Sequence, residues 1–141
     1  PCIAIVGSRN ASSYGMNTAR YLARRLAAMG FCIVSGMAKG IDTAAHTGAL
    51  EATGNTIAVL GSGLKKIYPR ENKDLFYRIQ KSGAVISEFK LDTDPYPYNF
   101  PVRNRIIAGL IRYFSLISIL LSEVGEKECI VCHTIKNSIK C

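Results

Sequence analysis

Three short segments of this 141-residue chain place glycine and serine where an apolar run stops, and two of them add a cation: Gly7-Ser8-Arg9, Ser35-Gly36-Met37-Ala38-Lys39-Gly40 and Gly61-Ser62-Gly63. Glycine lets backbone N–H groups approach an anion closely, and a helix that follows such a turn adds its positive end. Ser8, Ser35 and Ser62 bring hydroxyl donors, while Arg9 and Lys39 bring full charges. One glycine turn after a strand is ordinary; three together describe a rim that grips phosphate. The rim departs from the common nucleotide signatures. No Gly-x-Gly-x-x-Gly opens the first helix, which disfavours an NAD dehydrogenase, and no Gly-x-x-x-x-Gly-Lys-Ser/Thr is present, which disfavours a P-loop ATPase.

The sharpest local signal is Phe100-Pro101-Val102-Arg103-Asn104-Arg105, two arginines around an asparagine at an expected helix start. Guanidinium forks grip phosphates, and an asparagine bonds a base edge or a backbone group. Tyr96, Tyr98 and Phe100 alternate just before it. In an extended loop they would share one side and form a stacking platform for bases, or else pack the loop onto the body. His46 follows Asp42 by four residues on an expected helix, and a packed histidine is the simpler reading than a catalytic pair. Cys129-Ile130-Val131-Cys132-His133 has the spacing of a c-type haem attachment. Nothing in the sequence exports the chain, so that reading is set aside, as is a zinc half-site with Cys141. No catalytic residue, metal or cofactor is expected.

The elements that must position these residues alternate in type. Ile3 to Val6, Phe31 to Val34, Thr56 to Leu60 and Ala84 to Ser87 are short apolar runs, as in strands buried on both faces. Helices are expected over Gly15 to Met29, Ile41 to Ala52, Glu71 to Lys81 and Arg103 to Ile111, with Leu91 to Pro101 irregular and Leu116 to Leu121 a fifth strand. In the first helix Met16, Ala19, Leu22, Ala23, Leu26 and Ala27 recur at helical spacing, with Arg20, Arg24 and Arg25 off the stripe. Such alternation predicts an α/β fold with a doubly wound, mostly parallel sheet, an extended Rossmann-like single domain. Ligands of such sheets bind beyond the carboxyl ends of the strands, where the three glycine turns fall.

Composition bounds the rest. Apolar residues make up 48% and charged residues 20%, which excludes disorder. The formal charge is +8, and ten basic residues against five acidic lie between Lys65 and Arg112, which suits a polyanion partner. Cys2 and Cys32 border apolar runs and read as small buried hydrophobes. The chain begins at Pro1, so it reads as an excerpt. It shows no signal peptide, and its longest apolar run is too short to span a bilayer, so we expect a cytoplasmic protein with no membrane partner. Residues 1–122 are expected to form the core and 123–141 an atypical tail.

Taken together these residues resemble the DNA-processing protein A (DprA/Smf) family. The resemblance rests on Ile3-Ala-Ile-Val-Gly-Ser-Arg9 with Ser13-Tyr-Gly15, Val34-Ser-Gly-Met-Ala-Lys-Gly-Ile-Asp42 with Ala45-His46, and Thr56-Ile-Ala-Val-Leu-Gly-Ser-Gly63 with Tyr68-Pro69. Ile86-Ser-Glu88 and Phe100-Pro-Val-Arg-Asn-Arg-Ile-Ile-Ala-Gly-Leu110 complete the series. It implies a protein that binds single-stranded DNA, protects incoming strands and loads the RecA recombinase in natural transformation, and that is not an enzyme. It implies a DNA pocket built on Arg9 and Lys39, with Arg103, Asn104 and Arg105 mapping to the family's Arg-Asn-Arg segment. After Leu110 the chain departs from the family pattern, as a frameshift would produce. The RecA and homodimer contacts that the family places late in the core are therefore the expectations least supported here. Two rival readings of the fold are a small-nucleotide sensor that uses the same rim and a nucleoside-monophosphate hydrolase of the lysine-decarboxylase-like (LOG) type. The hydrolase's Pro-Gly-Gly-x-Gly-Thr segment is absent.

Overall fold

The computed structural model describes residues 1–52, 54–111 and 129–131. The expected fifth strand at 116–121, the boundary at residue 122, and Cys132, His133 and Cys141 lie outside the described residues. In chain order the elements are β1 (Cys2–Gly7), α1 (Ser13–Ala28), β2 (Cys32–Ser35), α2 (Ile41–Ala52), β3 (Thr56–Val59), a 3-10 turn (Arg70–Asn72), α3 (Lys73–Ser82), β4 (Ala84–Ile86), α4 (Asn99–Leu110) and β5 (Cys129–Val131).

The sheet order is β4-β3-β2-β1-β5. The first four strands pair in parallel, with Ile3 opposite Ile33, Val34 opposite Ile57 and Ala58 opposite Val85, while β5 runs antiparallel to β1. Each crossover from β1 to β4 steps in the same direction, so α1, α2 and α3 gather on one face of the sheet. Strand alternation sends Ile3, Ile5 and Ile33 towards α1 and α2, and Ala58 towards α3. Ala4, Val34 and Val59 point the other way, onto Ile107 of α4. The mostly parallel sheet with helices on both faces is the expected architecture.

The termini of α1 have local causes. Ser12 caps it, its Oγ accepting from the Gly15 N–H at 3.1 Å. Gly30, at φ +88°, ends it as the sequence suggested. The buried stripe of α1 is narrower than expected: Gly15, Ala19, Ala23 and Ala27 are buried, whereas Leu22 and Leu26 are half-covered and Met16 is exposed. Small residues at four-residue spacing let α2 come close with its own Ala45, Gly48 and Ala49. A Cβ on Gly48 would overlap the Arg20 carbonyl. Arg20 itself reaches Glu51 on α2, its Nε donating to Oε2 at 3.0 Å, and Arg24 and Arg25 are exposed. Cys2 and Cys32 are half-buried register partners on β1 and β2, and burial, with Cys2 beside it, pushes the Cys32 thiol up to about 11.

The last helix begins earlier than the sequence suggested. It runs from Asn99, so Phe100 and Pro101 belong to its first turn. First-turn N–H groups have no intrahelical acceptor, so proline costs nothing there. That early start takes Phe100 out of alternation with the tyrosines. Tyr96 and Tyr98 stack on each other, centroids 5.4 Å apart and planes 4° from parallel, while Phe100 turns towards Arg9 and the carboxyl ends of the strands.

Candidate nucleic-acid interface

The carboxyl ends of β1 and β2 meet the start of α4 at an open cleft of about 320 Å³, solvent-facing space included, lined by Arg9, Gly36, Ala38, Lys39, Tyr68, Pro69 and Phe100. Phe100 is its hub. The Arg9 guanidinium carbon lies 4.9 Å from the ring centroid and that of Arg103 lies 5.9 Å away. The Tyr68 ring sits 5.8 Å off at 51°. A Cβ on Gly61 would come within 2.7 Å of the Phe100 ring, so that glycine makes room for the hub.

Beneath the cleft, the loop from Ser35 to Gly40 is held by side chains at nearly every step. The Asp42 carboxylate, 4% exposed, accepts from the N–H groups of Gly36 at 3.1 Å and Ala38 at 3.3 Å. Thr43 Oγ1 donates to the Ala38 carbonyl at 2.7 Å, and Asn72 Nδ2 donates to the Met37 carbonyl at 2.9 Å. Met37 adopts φ +66° and buries its side chain against Leu60, Leu75 and Phe76. A non-glycine residue in that region costs roughly 1–3 kcal/mol, so the clamps around it are what hold the loop in shape.

Arg103 completes the scaffold. It is 4% exposed, and its Nη1 donates to the Gly36 carbonyl at 2.6 Å and also to the Val59 carbonyl, while Nε donates to Asn104 Oδ1 at 3.2 Å. It thus ties the ends of β2 and β3 to α4. A Cβ on Gly36 would occupy the place of the guanidinium. Burial pulls the pKa of Arg103 down, with Asp42 opposing and Arg9 adding to the pull; burial pushes the Asp42 carboxyl up against Arg103 and the loop amides. An arginine stays protonated regardless, and its charge, with the loop amides, favours the ionised form of Asp42 against burial, without a direct ion pair between the two side chains.

The remaining expected site residues divide by place. Ser35 Oγ donates to the Ile5 carbonyl at 2.6 Å and Ser62 Oγ to the Lys66 carbonyl at 2.7 Å, so both hydroxyls are engaged inside the protein. Ser8 is half-buried, its Oγ accepting from the Asn10 N–H at 3.1 Å. Gly7 ends β1. Gly40 takes φ +74°, and a Cβ there would overlap the Ser8 carbonyl. Gly63 donates its N–H to the Thr93 carbonyl at 2.8 Å and packs below residues 90 and 91, away from the cleft lining. Lys39 pairs with Glu71 and the exposed Arg105 with Glu88. Arg9 is exposed and makes no ion pair among the described residues.

His46 is fully buried, with Nδ1 2.7 Å from Thr56 Oγ1. The Thr56 hydroxyl donates to the Ile33 carbonyl at 2.7 Å, so it accepts from His46, which fixes the Nδ1–H tautomer. Burial, and then Arg103, lower its pKa to about 3. Sequence reasoning missed Asn72 and Thr43 altogether. Asn72 sits in an unremarkable polar stretch and acts on a carbonyl 35 residues away.

The family model for DNA recombination-mediator protein A matches residues 1–120. The chain belongs to the DNA recombination-mediator protein A family. Protein Smf of Escherichia coli is 50% identical over 109 residues, which are 77% of this chain and 29% of that protein. DNA processing protein DprA of Streptococcus pneumoniae is 47% identical over 112 residues, 79% of this chain and 39% of that one. The crystal structure of the pneumococcal protein superposes with a TM-score of 0.71 at 46% identity, covering 77% of this chain and 38% of that one. DNA processing protein A from Helicobacter pylori, whose structure concerns its single-stranded DNA binding mode, superposes at 0.70 with 36% identity, covering 75% of this chain and 48% of that one. The chain therefore spans less than half the length of each of these family members. None of its described helices is long and apolar enough to cross a membrane.

Proposed function

We propose that the cleft binds single-stranded DNA by its phosphates. The observation that carries the reading is Arg9, an exposed cation with no carboxylate partner among the described residues, held against Phe100 beside Lys39 in one opening at the strand ends. Membership in a family that includes a protein studied for its single-stranded DNA binding mode supports it. On this reading Arg9, Lys39 and the backbone of Ser8 and Gly40 meet the strand, while Gly7 turns its N–H to the buried Asp42. Ser35, Gly36, Gly61, Ser62, Gly63, Arg103 and Asn104 shape the opening, and Arg105 is an outlying charge. The groups facing the cleft are cations, an aromatic ring and a phenol, and His46 is buried and neutral, so we read it as a site for binding and not for catalysis.

Titration of a labelled dT oligomer followed by fluorescence anisotropy tests the proposal. Affinity should fall steeply between low and physiological salt, because each neutralised phosphate releases a counterion, and a nucleoside monophosphate should compete poorly. Salt-independent binding would sink the phosphate reading. Tight nucleotide binding would favour a sensor, and adenine release from AMP would favour a LOG-like hydrolase. The same reading extends to a cytoplasmic role in transformation, with RecA loading and self-association; co-sedimentation with RecA and analytical ultracentrifugation address these.

A further inference from the structure

In the free protein Lys39 is already occupied. Its Nζ lies 2.5 Å from Glu71 Oε1, although both side chains are more than half exposed, at 56% and 64%. An ion pair between two solvated side chains is usually incidental, but the backbone under Glu71 is fixed. Glu71 is the middle residue of the 3-10 turn Arg70–Asn72. The next residue, Asn72, is buried and donates from Nδ2 to the Met37 carbonyl at 2.9 Å and to Thr43 Oγ1 at 2.8 Å. Those acceptors belong to the loop that carries Lys39 and to the first turn of α2. The turn with the carboxylate and the loop with the ammonium are thereby fastened together, and Glu71 stays beside Lys39. The Glu71 carboxyl is accordingly held below its ordinary pKa, chiefly by the hydrogen bond from Lys39.

We propose that Glu71 is a resident counter-ion that an incoming phosphate must displace from Lys39, so that Glu71 sets the affinity of the cleft and its removal tightens binding. This rests on the single-stranded DNA reading above. Exposed pairs of this kind favour the paired state by roughly two- to fivefold. A ligand that needs the free ammonium is weakened by a comparable factor.

Glu71→Gln tests the proposal by anisotropy with a labelled dT oligomer at physiological salt. Glu51→Gln serves as the charge-matched control, because Glu51 pairs with Arg20 between α1 and α2, away from the cleft. Glu71→Gln should bind about three- to fivefold more tightly than the unaltered chain. Glu51→Gln should stay within about twofold, as expected of a remote screened charge. In a Lys39→Ala background, Glu71→Gln should gain no more than Glu51→Gln does. The proposal is overturned if Glu71→Gln gains no more than the control, if it weakens binding, or if its gain survives the loss of Lys39. The two levels fail separately. If Lys39→Ala weakens binding while Glu71→Gln does not strengthen it, only the counter-ion role falls. If neither Arg9→Ala nor Lys39→Ala weakens binding, the cleft reading falls with it.

Discussion

Replacing Arg103 with methionine keeps the bulk of the side chain and removes everything polar about it. In the native structure its guanidinium satisfies the buried carbonyls of Gly36 and Val59 and stands beside the buried Asp42. A buried acceptor left without a donor costs about 1–3 kcal/mol. The buried Asp42 carboxylate also loses the favourable charge of the guanidinium, while keeping its hydrogen bonds from Gly36 and Ala38. These losses overlap, since all arise from one guanidinium, so we expect Arg103→Met to lower stability by about 2–5 kcal/mol. Against the roughly 5–15 kcal/mol of an ordinary domain, that brings the fold near its limit. Urea unfolding followed by circular dichroism measures the change, and adding Asp42→Asn should recover part of it by removing the buried charge that the guanidinium had favoured. If Arg103→Met unfolds at the same urea concentration as the unaltered chain yet no longer binds DNA, Arg103 is a direct phosphate ligand and the scaffold account of it is wrong.

Two further expectations concern the same region. His46 has its folded pKa lowered to about 3 by burial, against about 6.5 in an unfolded chain. Its neutral form is the one the fold holds, so its contribution is fully present above about 6.5 and is lost by up to about 1.4 kcal/mol per pH unit as pH falls towards 3. Asp42, with its pKa raised by burial, acts in the opposite direction at the acid end. Comparing urea midpoints of the unaltered chain and His46→Asn from pH 7 to pH 5 isolates the histidine: the variant should show the flatter profile, and equal slopes would contradict the buried neutral imidazole. Gly40→Ala meets both a left-handed φ of +74° and the Ser8 carbonyl; it should cost at least about 1–2 kcal/mol, seen as a lower Tm, and unchanged melting would refute the close approach.

The fold was legible because its signals are local. Buried parallel strands appear as short apolar runs closed by glycine, and Gly30 and Gly54, both at positive φ, end α1 and α2 where the sequence places the stops. The start of α4 was not legible, because Pro101 and two nearby prolines read as a loop until one sees that the first helical turn tolerates proline. The placement of Arg9 and Lys39 at one opening followed from the topology rule for parallel sheets. The engagement of Ser35 and Ser62 did not, since sequence gives a hydroxyl's type and not its direction. The inward course of Arg103 was hidden for the same reason: an arginine at a helix start is usually solvated, and only the absent Cβ of Gly36 makes room for this one.

On the proposed reading a defined cleft, and not diffuse positive charge, binds the strand. The most direct measurement compares Arg9→Ala and Lys39→Ala with Arg24→Ala, by anisotropy on the same dT oligomer at physiological salt, once circular dichroism has verified each fold. All three substitutions change net charge equally, while Arg24 is exposed on α1 and does not line the cleft. Loss of a charge-assisted phosphate contact costs about 1.5–3 kcal/mol, so Arg9→Ala should weaken binding about tenfold or more. Lys39→Ala should do the same less the share already held by Glu71, and Arg24→Ala should be nearly silent. Equal losses from Arg24→Ala and Arg9→Ala would contradict the account.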